Sequence, residues 1–195
     1  MERAQLRPWG LGVLATLMIV ALVIASSAAG SDTPGEPEAA PGDDAPAAGE
    51  AMGPFSLTAP AGWVMNRRPG AGVRRHTVFY PRGSGGADAP VKIFVNTSPR
   101  SEGQTLEALV AQDVASTLER EQGAKVSEGT SLRTADDKLA LVRSFSGGDE
   151  EESVAYIAEK DSFVLITLSA RDELRHAEGE SALRAIVESY RAVGR

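Results

Sequence analysis

The chain contains no cysteine, so it can form no disulfide, offers no thiol nucleophile or thiolate metal ligand, and has no residue to carry an N-terminal lipid. Histidine is almost as scarce: His76 and His176 are the only two, which confines imidazole chemistry to two positions. Basic charge is in deficit too. The formal net charge is −7, and residues 54–195 carry 18 Lys and Arg against 20 Asp and Glu. A nucleic-acid binder needs a strongly basic face, so that class is excluded.

One stretch also lacks charge altogether. Arg3 and Arg7 precede an apolar run from Leu11 to Ala25, and no Lys or Arg follows until Arg67. This asymmetry holds the start of the chain on the cytoplasmic side and sends the remainder out. Leu11 to Ala25 has the length of a signal-peptide core, while counting from Trp9 to Ala29 gives enough apolar residues to cross about 30 Å of hydrocarbon. Cleavage after Ala29, with small residues at Ser27 and Ala29, and retention as a membrane anchor through residues 9–29 both fit. Residues 1–29 are therefore a signal peptide or signal anchor, and the remainder is extracytoplasmic, anchored on the outer side of the membrane or released.

Between Ser31 and Gly53 the chain has six acids, four prolines and no base. Such a composition cannot bury enough apolar surface to offset the entropy of ordering. Residues 30–53 thus read as a disordered acidic Pro/Ala linker, extended by proline and like-charge repulsion into a spacer. The C-terminal stretch, 54–195, is long enough for one domain with its own core.

That domain reads as strands, a long helix, further strands and a last helix. Phe55 to Ala59 predicts a first strand, ended by Pro60 and a turn at Gly62. Val73 to Tyr80 and Val91 to Asn96 predict a hairpin, and Val91, Ile93 and Val95 alternate with Lys92, Phe94 and Asn96 as a half-buried strand requires. Thr105 can cap a helix whose stripe is Leu106, Leu109, Val110, Val114 and Leu118, with Gly123 placed to end it. Val126 to Leu132 is a weaker strand, followed by Leu139 to Phe145, Val154 to Ala158 and Phe163 to Leu168. The last is nearly continuous in apolar residues, the mark of a central strand covered on both faces. Leu183, Ile186, Val187 and Tyr190 give the final helix its stripe. The expected architecture is an α+β sandwich, an antiparallel sheet with helices on both faces.

Phe55-Ser56-Leu57 followed by Pro60-Ala61-Gly62-Trp63, the mid-chain helix, the three-strand meander and a final helix with Ile186, Ser189 and Tyr190 resemble the PsbP/Mog-like family, including its bacterial exported DcrB-type domains. The resemblance spans about residues 54–195. It implies a compact, non-enzymatic domain that assists a membrane-associated assembly or binds a protein partner or ligand, with no cofactor and no catalytic residues to carry over. This chain departs from the DcrB type in lacking a lipid-attachment cysteine.

Few residues stand out for chemistry. Arg67, Arg68 and Arg74, with Arg75, cluster across the first turn and the next strand and can contact an anionic partner or lipid phosphate, or balance nearby acids in a solvated turn. Trp63 and Tyr80 can stack a ligand or close the sheet structurally. Asp149, Glu150, Glu151 and Glu152 are consecutive in a predicted hairpin, so their side chains diverge and read as a solvated turn, not a calcium site. Both histidines read as surface residues. A small-ligand or lipid cleft between the sheet and the helix of residues 105–122 is the main alternative to a binding module. A hydrolase using His76 is a weaker one, since no Gly-x-Ser-x-Gly turn presents a serine.

Overall fold

The apolar alternation of the domain is satisfied by one large sheet with a helix on each face. The structure, a computed structural model, describes residues 50–51, 55–68, 76–84, 86 and 89–193. The apolar N-terminal segment, most of the linker, Arg74 and Arg75 lie outside the described residues. Glu50–Ala51 of the stretch assigned to the linker form β1, which pairs antiparallel with β2 (Phe55–Leu57). On its other side β2 pairs with β11 (Arg191–Ala192), so the strand expected to open the main sheet belongs to a separate three-stranded one.

The main sheet contains β3 (Trp63–Arg68), β4 (His76–Pro81), β5 (Val91–Pro99), β8 (Leu139–Ser146), β9 (Glu151–Ala158) and β10 (Ser162–Ala170). Its order is β3-β4-β5-β10-β9-β8, and the short strands β6 (Lys125–Val126) and β7 (Thr130–Arg133) both pair with β8. Every pairing is antiparallel. The apolar run at Phe163–Leu168 lies in β10, between β5 and β9, and both its faces are covered. The weak strand expected over Val126 to Leu132 is split in two at Gly129. That residue has φ +90°, and any Cβ there would overlap the Arg143 guanidinium. β3 corrects the expectation of a turn through Arg67 and Arg68: backbone pairing with β4 extends the edge strand through both residues.

Helix α1 (Leu106–Arg120) starts at Thr105, whose hydroxyl accepts from the Ala108 N–H at 3.1 Å. It covers one face, packing Leu106, Leu109 and Val110 on Phe145, Val154, Tyr156, Phe163 and Leu165. Leu118, expected in the stripe, is 42% exposed, and Thr117 is buried instead. Eleven residues after Leu106 is close to three full turns, whereas the twelfth has rotated about 120° off the face. Helix α2 (Glu173–Ser189), capped by Asp172, lays Ala182, Leu183, Ile186 and Val187 on the opposite face, over Ile93, Ala155, Ile157, Val164, Ile166 and Leu168.

α2 approaches the sheet closely at Gly179. A Cβ there would lie 2.5 Å from Leu168 Cδ1 and 2.9 Å from Val91 Cγ2. Gly179→Ala is therefore expected to destabilise the domain by about 1–3 kcal/mol through overpacking, against which the better helix propensity of Ala recovers less than about 1 kcal/mol. Urea denaturation measures the balance, and a variant as stable as the parent would mean that α2 shifts freely.

Candidate functional site

Period-two alternation assigns each strand residue to the α1 face or the α2 face of the main sheet. On the α1 face, register aligns Lys92, Ser169, Glu152 and Phe145 across β5, β10, β9 and β8. The adjacent row runs through Asn66, Val78, Phe94, Thr167, Val154 and Arg143, and Tyr80 pairs with Val64 beside it. Only the β8 to β10 part of this face lies under α1, because no residue of β3, β4 or β5 belongs to the α1 cluster. Val64, Asn66, Tyr80, Lys92, Phe94 and Thr167 remain partly exposed over a buried Val78. Among the described residues no helix covers this half of the sheet. Val64, Val78, Tyr80 and Phe94 give it an apolar and aromatic strip between polar Asn66, Lys92 and Thr167, backbone register places Arg68 and His76 next on the same face, and the Lys92 ammonium lies 5.5 Å from the Phe94 ring centroid.

The border of this open half, at the C-terminal end of α1, is acidic. Glu150 accepts from the Ser169 hydroxyl, and Asp113, midway along α1, accepts from the hydroxyl of the buried Tyr156 beneath the helix. Glu121, the C-cap of α1, rests its carboxylate against Gly148, where a Cβ would overlap it. Glu152 sits among them. Its pKa is pushed up to about 7, first by burial and then by the negative charge of Glu121 and Glu150; Arg120 opposes the shift and Asp113 adds to it. The solvated turn expected at residues 149–152 is thus corrected: Glu151 and Glu152 are strand residues, and alternation turns Glu152 inward beneath α1. Among the described residues no three Asp, Glu or His side chains are arranged to hold a metal ion.

Trp63 and Met65 project to the α2 face and pack against the main core. Tyr80 lies on the opposite, open face, with its ring beside Gly86. Trp63 and Tyr80 therefore do not form one site. Arg67 and Arg68 are at the end of β3, paired with Thr77 and His76, and Arg74 is outside the described residues.

His176 is not a surface residue. Its side chain is 12% exposed; Nε2 lies 2.9 Å from the Ser153 hydroxyl, which lies 2.7 Å from that of Ser144, and Nδ1 is 3.8 Å from Glu180. A serine, a histidine and a carboxylate thus meet at His176. Two features separate this from an acyl-transfer centre. Ser153 is 2% exposed, closing its hydroxyl to a substrate carbonyl, and the carboxylate contact exceeds hydrogen-bond length. Beside the network is an open groove of about 500 Å³ whose lining mixes apolar Val126 and Phe145 with Lys125, Ser144, Glu173 and His176. The hydroxyl chain satisfies polar groups that helix packing buries. Sequence spacing could not reveal it, since Ser144, Ser153 and His176 come from three elements.

The cleft expected between the sheet and the helix of residues 105–122 exists as a groove between α1 and β8, lined by Glu107, Val110, Ala111, Val114, Leu141 and Arg143. Its volume is about 220 Å³, whereas pockets for drug-sized ligands run about 300–1,000 Å³.

No family model matches the sequence, and no curated protein is significantly similar to it. Among solved structures, the solution structure of cyanobacterial PsbP (CyanoP) from Synechocystis sp. PCC 6803 superposes with a TM-score of 0.52 at 13% identity. The match covers 80% of this chain and 98% of that one. At that identity the likeness establishes a PsbP-like fold and nothing about activity.

Proposed function

We propose that this chain is an extracytoplasmic, non-enzymatic binding or assembly-assisting module, held at a membrane or released from it by its N-terminal segment, and close in kind to the exported DcrB-type domains. The observation that carries the reading is the open half of the α1 face. There Val64, Val78, Tyr80 and Phe94 of β3, β4 and β5 form an apolar and aromatic strip that no helix covers among the described residues, set among polar and charged groups. Contiguous apolar surface with a polar rim is the anatomy of an interaction patch. The charge asymmetry around the apolar run supports an extracytoplasmic address. The PsbP-like fold is compatible with such a role. A small ligand or lipid in the α1 cleft has less support, because that groove is too small.

A photo-crosslinking residue at position 94, on the open face, is expected to give a discrete protein adduct in intact cells. The same residue at position 184, on the exposed outer side of α2, should give none. Equal adducts from both positions, or none from either, would remove the reading.

A further inference from the structure

We propose that the last turn of α1 and the β8–β9 turn (147–150) form a latch over Glu152, shut while that carboxyl holds its proton and opening when it ionises. The latch makes the domain responsive to pH and does not depend on what the open half of the sheet binds.

Glu152 has a firm side and a weak one. On the firm side backbone pairing holds it in the sheet, opposite Phe145 of β8 and Ser169 of β10. On the weak side two turns meet over it by contact. A Cβ on Gly147 would lie 3.0 Å from the Gly123 carbonyl oxygen, and the Glu121 carboxylate rests on Gly148. Among the described residues no hydrogen bond joins positions 120–123 to positions 147–150. α1 is anchored further back: Leu106, Leu109 and Val110 are buried and Asp113 accepts from Tyr156, whereas past Asp113 only Thr117 is buried. Its last turn can therefore lift without the rest of the helix. The charges around Glu152 act on this weak side. Asp113, Arg120 and Glu121 reach it from α1, and Glu150 and Asp149 belong to the turn. Arg143 comes from β8, Lys92 stands two strands away in β5, and Arg171 follows β10; Glu151 and Lys125 line the groove on the α2 side. Arg120 pairs with Glu121 at 3.2 Å, Arg143 donates to the Val142 carbonyl, and Lys92 is held over the Phe94 ring. Burial comes first in raising the Glu152 pKa to about 7, and Glu121 and Glu150 add to it. Once ionised, the carboxylate needs water and repels its neighbours on both turns. Parting the turns relieves both, whereas reaching water through the sheet would break ladder hydrogen bonds. The closed form binds the proton more tightly than the open, hydrated one. It is fully favoured below about pH 4.5, the open fraction grows from there to about 7, and it is level above.

Because the chain has no cysteine, one introduced thiol reports the opening. Thr117 is 5% exposed beneath the end of α1, and its neighbour Ser116 is exposed. In the full chain, the labelling rate of Thr117→Cys by a small methanethiosulfonate reagent is divided by that of Ser116→Cys, which cancels the ionisation of the thiol itself. Protection of the Thr117→Cys thiol is expected to fall at least about tenfold between pH 5 and pH 8, a factor of ten for each pH unit over which Glu152 differs in proton occupancy. Ala182→Cys, placed beneath α2 at a position 3% exposed, should keep its protection over the same range. Adding Glu152→Gln to Thr117→Cys should make the protection independent of pH. Far-ultraviolet circular dichroism confirms that each variant is folded, and Val154→Cys, also 5% exposed beneath α1, takes the place of Thr117→Cys if that variant does not fold. Constant protection beneath α1, or a fall that survives Glu152→Gln, overturns the latch. An equal fall at Ala182→Cys overturns it too, because the whole domain would then be loosening.

Discussion

Replacing Tyr190 with Ala is expected to destabilise the domain by about 3–5 kcal/mol, lowering Tm by on the order of 10–15 °C. Tyr190 follows the last turn of α2 and is 0% exposed. Its ring stacks on Phe55 of β2 with centroids 5.4 Å apart, and the Lys138 ammonium approaches its ring to 5.8 Å. Its hydroxyl donates to Glu159, which also pairs with Lys138, and its carbonyl accepts from the Ala135 N–H at 3.1 Å. One residue therefore joins α2, the three-stranded sheet, the β7–β8 turn and the β9–β10 turn. Truncation leaves a cavity and removes the donor from a half-buried carboxylate, so transfer, cavity and hydrogen-bond losses act together. Tyr190→Phe keeps the ring and should cost only about 1–1.5 kcal/mol. Thermal denaturation of the two variants separates packing from hydrogen bonding. Equal losses would show that the hydroxyl, not the ring, holds the junction.

The second large effect is pH-dependent. Glu152 has a folded-state pKa near 7 against 4.5 for the free group. A carboxyl whose pKa rises on folding is bound to its proton more tightly in the native state. Its contribution is then fully present below about pH 4.5, is lost as pH rises from there to about 7, and changes no further above it. Allowing for partial solvent access, the loss is on the order of 2 kcal/mol. Glu152→Gln, which mimics the protonated form, should be more stable than the parent by that amount at pH 8 and equal to it at pH 4.5. Asp136 works in a separate, acidic window. Burial raises its pKa, but the Thr134 hydroxyl, the Ala192 N–H and Lys138 outweigh it, so the value is lowered and its stabilisation is lost only as pH falls below the ordinary carboxylate range. Urea denaturation at pH 4.5, 6 and 8 reads the Glu152 effect directly. Parallel curves for parent and variant would mean that the carboxylate is solvated and the acidic border unstrained.

Much of the fold was legible along the chain because its signals are local. A cap at Thr105, alternation at Val91 to Asn96 and the apolar run at Phe163 to Leu168 depend on near neighbours, and the elements formed where those signals stand. β3 was not legible: Val64 and Met65 followed by Asn66, Arg67 and Arg68 have no clear alternation, and pairing with β4 decides their conformation. The short strands β1 and β11 escaped notice because each exists only through β2, more than a hundred residues from one of them.

The site was less legible than the fold. Glu152 in a run of acids reads as solvent-facing, since sequence shows charge but not which strand residue turns inward. Ser153 and His176 are 23 residues apart, and nothing along the chain marks them as partners. The sequence by itself determined the absence of thiol chemistry, the charge asymmetry around the apolar run, the acidic, proline-rich composition of residues 31–53 and an antiparallel sheet with amphipathic helices, because composition and periodicity act residue by residue. Only the tertiary structure decided which half of the sheet α1 leaves open, which carboxylates gather around Glu152, and that His176 is largely buried, because each depends on the relative placement of distant segments.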